Sequence, residues 1–251
     1  MAEHETEIQM PEGSSDSFFY CPEGNGSVPG VLYLTDIGGN RVANREAAQR
    51  LSAKGYAVLM PNIFYRTGRA PIQPSLRTLD EEGRKKRMAE LSNPLTPEAM
   101  GRDAATYIDF LASQRCARPG MIGVVGYCFS GKMAMFAAAA RPDKVAAVAS
   151  FHGGGLCTDA ASSPHLALPR IEARLYFAHA SKDHSMPEEA IANFDQALAR
   201  WGGKYESETY PDAYHSWTST DSPVYNEPQA ERAFQKLLEL FEQTFHRPSA
   251  R

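Results

Sequence analysis

Short apolar runs alternate along the chain with longer stretches of helical pattern. Residues 31–35, 56–60, 121–125 and 145–149 are the continuous runs expected of strands buried on both faces. Two further runs, 174–178 and 205–210, follow in the same style. Between and after them lie helical stretches at 41–54, 97–115, 129–140, 187–201 and 228–245. Strand and helix in alternation predict a doubly wound, mostly parallel sheet flanked by helices, an α/β fold. A weaker pair of strands within 6–21 closes one edge. There is neither an internal repeat nor a long linker, so one domain over 1–251 is expected, with a tail at 246–251 that frays.

One stretch, 64–97, departs from the alternation. It carries Arg66, Arg69, Arg77, Arg84, Lys85, Lys86 and Arg87, with Asp80, Glu81 and Glu82 just ahead of the basic cluster. It reads either as an exposed helix of mixed charge or as a lid. The second reading follows from its place after a strand's carboxyl end, where open α/β sheets bind ligands.

Composition narrows the function classes. In 251 residues, 43% are hydrophobic, enough for a sizeable core without a disulfide or metal staple. A formal charge of -4 and a pI near 6.0 lack the basic footprint of a nucleic-acid binder. No apolar run approaches the roughly 18 residues of a membrane helix, and the first ten residues lack the features of a secretory signal. A reducing cytoplasm is therefore the expected location. Cys21, Cys116, Cys128 and Cys157 form no C-x-x-C pair, so neither a zinc ribbon nor a redox motif is expected. No cofactor is called for, and the sequence leaves oligomeric state open.

Chemistry concentrates where the 121–125 strand meets the next helix. Gly126-Tyr-Cys-Phe-Ser-Gly131 links them through a sharp turn with Cys128 at its apex. Positions two residues either side of the nucleophile in such an elbow must be small, and Gly126 and Ser130 satisfy that. The helix N-terminus favours a thiolate, and its free N–H groups can stabilise an oxyanion. Phe129 supplies one donor N–H, and Ile37, in the glycine-bearing loop 35–39, is the candidate for the second. A lone cysteine is more often a buried filler, and Cys21, Cys116 and Cys157 are read that way. The elbow context separates Cys128 from them.

A thiol nucleophile needs a base, and the base an orienting acid. In α/β-hydrolases the chain order is nucleophile, acid, histidine. Of the downstream histidines 152, 165, 179, 184 and 215, His215 follows the last strand and precedes the final helix, where the base belongs. Asp183 is the only carboxylate in the loop after the 174–178 strand. Asp159 lies one strand too early, and Asp212 shares the histidine's own loop. Asp36, beside the proposed second oxyanion donor, is either a solvated turn residue or a carboxylate that influences the thiol and imidazole.

With these residues in place, the chain resembles the dienelactone hydrolase (carboxymethylenebutenolidase) family of the α/β-hydrolase superfamily. The Gly126–Gly131 elbow is similar to that family's G-Y-C-x-G-G, and Lys182-Asp-His184 to its K-D-H segment. Tyr214-His-Ser-Trp217 resembles its G-H-S-F, and Leu59-Met-Pro-Asn-Ile-Phe-Tyr65 its strand and P-D-L-Y-type turn. The likeness spans about 15–245. It implies hydrolysis of a small ester or enol lactone through a thioester, with Cys128 as nucleophile, His215 as base and Asp183 as acid. By the same resemblance Asp36 replaces a glutamate that contacts the resting cysteine. Ser219 replaces one arginine of a substrate-carboxylate clamp, and Arg84 or Arg87 stands for the other. Two other readings are a cysteine amidase and a non-catalytic ligand receptor on a hydrolase scaffold. The amidase reading would want a glutamate where Trp217 stands, and the intact Cys-Asp-His set weighs against the receptor.

Overall fold

The computed structural model describes residues 2–24 and 26–245, so the tail expected to fray at 246–251 lies outside the described residues. Its strands are β1 (Ala2–Met10), β2 (Gly13–Cys21), β3 (Val28–Leu34), β4 (Ala57–Met60), β5 (Ala117–Tyr127), β6 (Val145–Phe151), β7 (Arg174–Lys182) and β8 (Tyr205–Tyr214). They form one sheet in the order β1-β2-β4-β3-β5-β6-β7-β8. The hairpin β1–β2 and the β2–β4 pairing are antiparallel, and every pairing from β4 to β8 is parallel. The hairpin is longer than its apolar pattern suggests, because β2 alternates buried and exposed positions instead of running apolar throughout.

Among the described residues six α-helices flank the sheet: α1 (Val42–Ser52), α2 (Glu81–Ser92), α3 (Pro97–Ser113), α4 (Ser130–Ala140), α5 (Glu188–Trp201) and α6 (Glu227–Phe245). Successive strand residues point to opposite faces and build two cores. Leu32, Leu34 and Val124 pack with Tyr107 of α3, Met133 of α4 and Phe194 of α5 in one core. Val31, Tyr33 and Val125 pack with Leu51 of α1 and Leu237 and Phe241 of α6 in the other. Within the irregular stretch, α2 is a mostly exposed helix that buries only Leu91 and is capped by Asp80, whose carboxylate accepts from Gly83 N–H at 2.8 Å. No described helix is long and apolar enough to cross a membrane.

The chain runs from β3 through α1 to β4 on one side, then crosses to β5 on the other. Ligands in open α/β sheets bind where the strand order reverses in this way, outside the carboxyl ends. The elbow stands there. β5 and α4 converge so closely that a Cβ on Gly126 would lie 2.3 Å from the Ser130 carbonyl oxygen. Cys128, between them, is forced to φ 56°, a left-handed conformation costly for a side-chain-bearing residue. Its N–H is held by the Phe151 carbonyl at 3.0 Å. Ser130 is more than small: its Oγ accepts from Tyr127 N–H at 2.9 Å and donates to Leu34 O at 2.8 Å. It thereby ties the end of β5 to the end of β3, from which the 35–39 loop departs.

The cysteine reading needs one correction. Cys21 and Cys116, taken as fillers in a fold that needs no staple, are joined as a disulfide with a Cα–Cα distance of 6.4 Å. The bond links the end of β2 to the approach to β5 across 95 residues of sequence, a span that no local motif reports. Cys128 and Cys157 are free.

If the elbow depends on this convergence, Gly126→Ala must push backbone against backbone and lose roughly 1–3 kcal/mol of stability. Ser130→Ala, which strands the Tyr127 N–H and Leu34 C=O, is expected to lose about 1–3 kcal/mol. Urea midpoints of both variants against wild type measure this, and an unchanged midpoint for Gly126→Ala would remove the convergence as a constraint.

Candidate active site

The carboxyl ends of the parallel strands bring the chemistry-bearing residues together. The His215 loop follows β8, with Asp212 and Ser216 on either side of His215 at φ 56° and 72°. Buried Trp217 anchors the loop, its ring against Tyr210 at 5.0 Å and His152 at 5.1 Å. His215 Nε2 lies 2.9 Å from Cys128 Sγ, and His215 Nδ1 lies 2.6 Å from Asp183 Oδ2. The three residues, far apart in sequence, make one continuous hydrogen-bonded line.

Asp183 is buried, and its remaining oxygen is also satisfied. Oδ1 accepts from Ser185 N–H at 2.8 Å and from Ser185 Oγ at 2.7 Å. Burial pushes this carboxyl upward, but hydrogen bonds from His215 and Ser185 and the imidazolium charge outweigh it and hold the group below the usual carboxylate range. The same contacts act on His215. Burial lowers its affinity for a proton, yet the hydrogen bonds to Asp183 and Cys128 win and push it up to about 10. At neutral pH the imidazole therefore keeps its proton.

A second histidine stands behind the first. His152, buried at the end of β6, packs its ring edge-on against His215 at 5.1 Å, and its Nε2 meets Thr218 Oγ1 at 2.8 Å. Burial, and then the neighbouring His215 charge, keep it well below an ordinary histidine, so it stays neutral. His152 is one of several downstream histidines, and nothing in its local sequence marks it as a neighbour of the base.

Cys128 opens into a cavity of about 260 Å³. Ile37 lines it, and Phe129, as the N-cap of α4, carries an N–H without an intrahelical acceptor. Two sequence expectations change here. Asp36 lines the cavity but does not reach for the cysteine: Arg41 Nη1 and Nη2 donate to its two oxygens at 2.6 and 2.8 Å, and Gly38 N–H adds a bond at 2.8 Å. Arg84 and Arg87 are not among the lining residues. They lie on α2, where Arg84 donates to Leu79 O, and Arg87 to Glu90 and Gln73 O. The arginines that do line the cavity are Arg41 and Arg77, and Ser219 lines it with them. Arg41 was hidden as a helix-leading residue of α1, and Arg77 as one of many cations in 64–97.

Among the described residues no cluster of His, Cys, Asp and Glu could hold a metal ion. Comparison with known proteins agrees with the geometry. The model of the Dienelactone hydrolase family matches residues 16–245. The carboxymethylenebutenolidase of Rhodococcus opacus is 27% identical over 231 residues, covering 90% of this chain and 85% of that protein. Among solved structures, a Klebsiella pneumoniae protein provisionally assigned as a dienelactone hydrolase superposes with a TM-score of 0.85 at 21% identity, over 96% of this chain and 98% of that one. A dienelactone hydrolase-like promiscuous phosphotriesterase from metagenomic libraries gives 0.80 at 19% identity, over 97% and 98%. The family match over nearly the whole described chain, on a sheet and elbow of this form, identifies the protein as a member of the dienelactone hydrolase family, a hydrolase of ester or lactone type within the α/β-hydrolase superfamily.

Proposed function

We propose that the protein hydrolyses a small carboxylic ester or lactone through a thioester on Cys128. The observation that carries this reading is the line from Asp183 to His215 to Cys128, with contacts of 2.6 and 2.9 Å. A protonated His215 faces Cys128 Sγ at 2.9 Å, at the positive end of α4, a setting that favours attack by sulfur as the thiolate. The thiolate attacks the carbonyl carbon, and the π electrons move to oxygen. That oxyanion is received by the N–H groups of Phe129 and Ile37. Collapse breaks the carbon–oxygen bond of the ester, and the departing alkoxide takes the proton from His215 Nε2. Neutral His215 then removes a proton from water, whose oxygen attacks the thioester. A second oxyanion collapses, releasing the acid and restoring the thiolate and imidazolium.

The neighbours support this cycle. Asp183, held charged, orients His215 and stabilises its imidazolium, while Ser185 locks the carboxylate in place. Neutral His152 gives His215 a packed wall without competing for its proton. Of the segment read as a possible lid, the strap at 71–77 lines the cavity that Cys128 opens into and α2 does not, so we assign substrate covering to this strap.

Cys128→Ala is expected to lower kcat/KM for p-nitrophenyl acetate by about a thousandfold or more, and His215→Ala by a comparable factor. Equal product release by wild type and Cys128→Ala would refute the cysteine nucleophile.

The proton held by His215 also sets a pH dependence. Because His215 is raised to about 10, its imidazolium persists beside Cys128 Sγ as pH falls through neutrality. Iodoacetamide alkylation of Cys128 should therefore stay nearly level from about pH 6 to 8, where an isolated thiol would slow by about two orders of magnitude. Asp183→Asn removes the charge that raises His215, and its alkylation rate should fall steeply toward acid. The same slope in wild type and variant would exclude a preformed ion pair.

A further inference from the structure

Resting on the hydrolase reading, the contents of the cavity say which substrates it admits. Two cations, Arg41 and Arg77, and the carboxylate of Asp36 line the cavity with Cys128, and Asp221 outside the lining pairs with both arginines. A bidentate-capable guanidinium has two forked edges available for a carboxylate, and Arg41 has both occupied. Nη1 and Nη2 hold Asp36. Nε lies 2.8 Å from Asp221 Oδ2, and Nη2 lies 3.2 Å from Asp221 Oδ1. Arg77, half-exposed on the strap, places Nη2 2.9 Å from Asp221 Oδ1. The formal charges of the four groups cancel.

An anionic substrate entering here would meet no free guanidinium edge on Arg41 unless it displaced Asp221, and at Arg77 it would meet a cation already paired with the same carboxylate through Nη2. The displaced carboxylate would stay close by, repelling the newcomer. What the rest of the wall offers is uncharged: apolar contact from Ile37, Ile72 and Leu76, and hydroxyls from Ser216, Ser219 and Ser222. Such a lining solvates carbonyl and ether oxygens without asking for a net charge.

We propose that the cleft selects esters or lactones whose acyl part is uncharged, and that Asp221 sets this selectivity by completing, with Asp36, the cancellation of the Arg41 and Arg77 charges. Asp221 touches neither Cys128 nor His215 in the triad's hydrogen-bonded line. It acts as a specificity residue, through the arginines that face the substrate.

The test uses two esters with the same leaving group and matched acyl length, p-nitrophenyl valerate and the mono-p-nitrophenyl ester of glutaric acid. Wild type is expected to favour the neutral ester in kcat/KM by about tenfold or more. Asp221→Asn, which frees a guanidinium edge, should move the neutral-to-anionic ratio toward the anionic ester by about tenfold, chiefly through KM. Adding Arg77→Gln to Asp221→Asn should take back part of that gain. A wild-type preference for the anionic ester, or a ratio that Asp221→Asn leaves unmoved, overturns the selectivity while leaving the hydrolase reading intact. Failure of wild type to turn over either ester refutes the hydrolase reading, and this inference with it.

Discussion

The close approach of β5 to α4 at Gly126 is the constraint on which the site depends. A strand and a helix that nearly touch leave room for a turn of only a few residues, and the turn's apex is driven into a left-handed backbone. That strain is balanced locally by the Cys128 N–H bond to Phe151 and by the Ser130 hydroxyl between Tyr127 and Leu34. The result is a thiol projected from the top of the sheet, at the N-terminus of a helix and beside the 35–39 loop. Sheet register then does the rest. With Leu34 opposite Gly126, and Tyr127 opposite Phe151, the ends of β3, β5 and β6 come to the same level.

Around this fixed point the structure separates charge from neutrality. Asp183 and His215 hold a proton between them in a partly buried setting, where their mutual attraction is screened less than at the surface. His152 touches the same imidazole and remains uncharged, because burial and its charged neighbour both oppose protonation. Two histidines with centroids 5.1 Å apart thus have opposite proton affinities. The difference comes from the carboxylate that only one of them reaches.

A second electrostatic unit lies across the cavity. Arg41 joins Asp36, at the end of β3, to Asp221, beyond the His215 loop, and Arg77 joins the strap to the same Asp221. Burial by itself would disfavour the Arg41 charge, but its two carboxylates more than offset this. These pairs connect three separate segments around Cys128, and the formal charges of the four groups cancel. Asp36 therefore serves this unit and not the thiol.

What the sequence determined by itself was local. A strand, a glycine, a cysteine at an apex and a small residue before a glycine-led helix are close in the chain, so their joint geometry is written within a dozen positions. The alternation of apolar runs and helical stretches likewise fixed the layered sheet, because each element must bury its own apolar face. The order of Cys128, Asp183 and His215 followed from strand order in such a sheet. The tertiary structure alone decided what depends on distant segments meeting. Arg41 and Asp221 are 180 positions apart, and Cys21 and Cys116 are 95 apart, spans over which no periodicity connects them. In 64–97 the family resemblance pointed to Arg84 or Arg87 for the substrate carboxylate. Helix α2 turned Arg84 and Arg87 to its own surroundings, while the strap brought Arg77 to the cavity. Side-chain reach and packing made that choice, and neither is encoded in residue type or spacing.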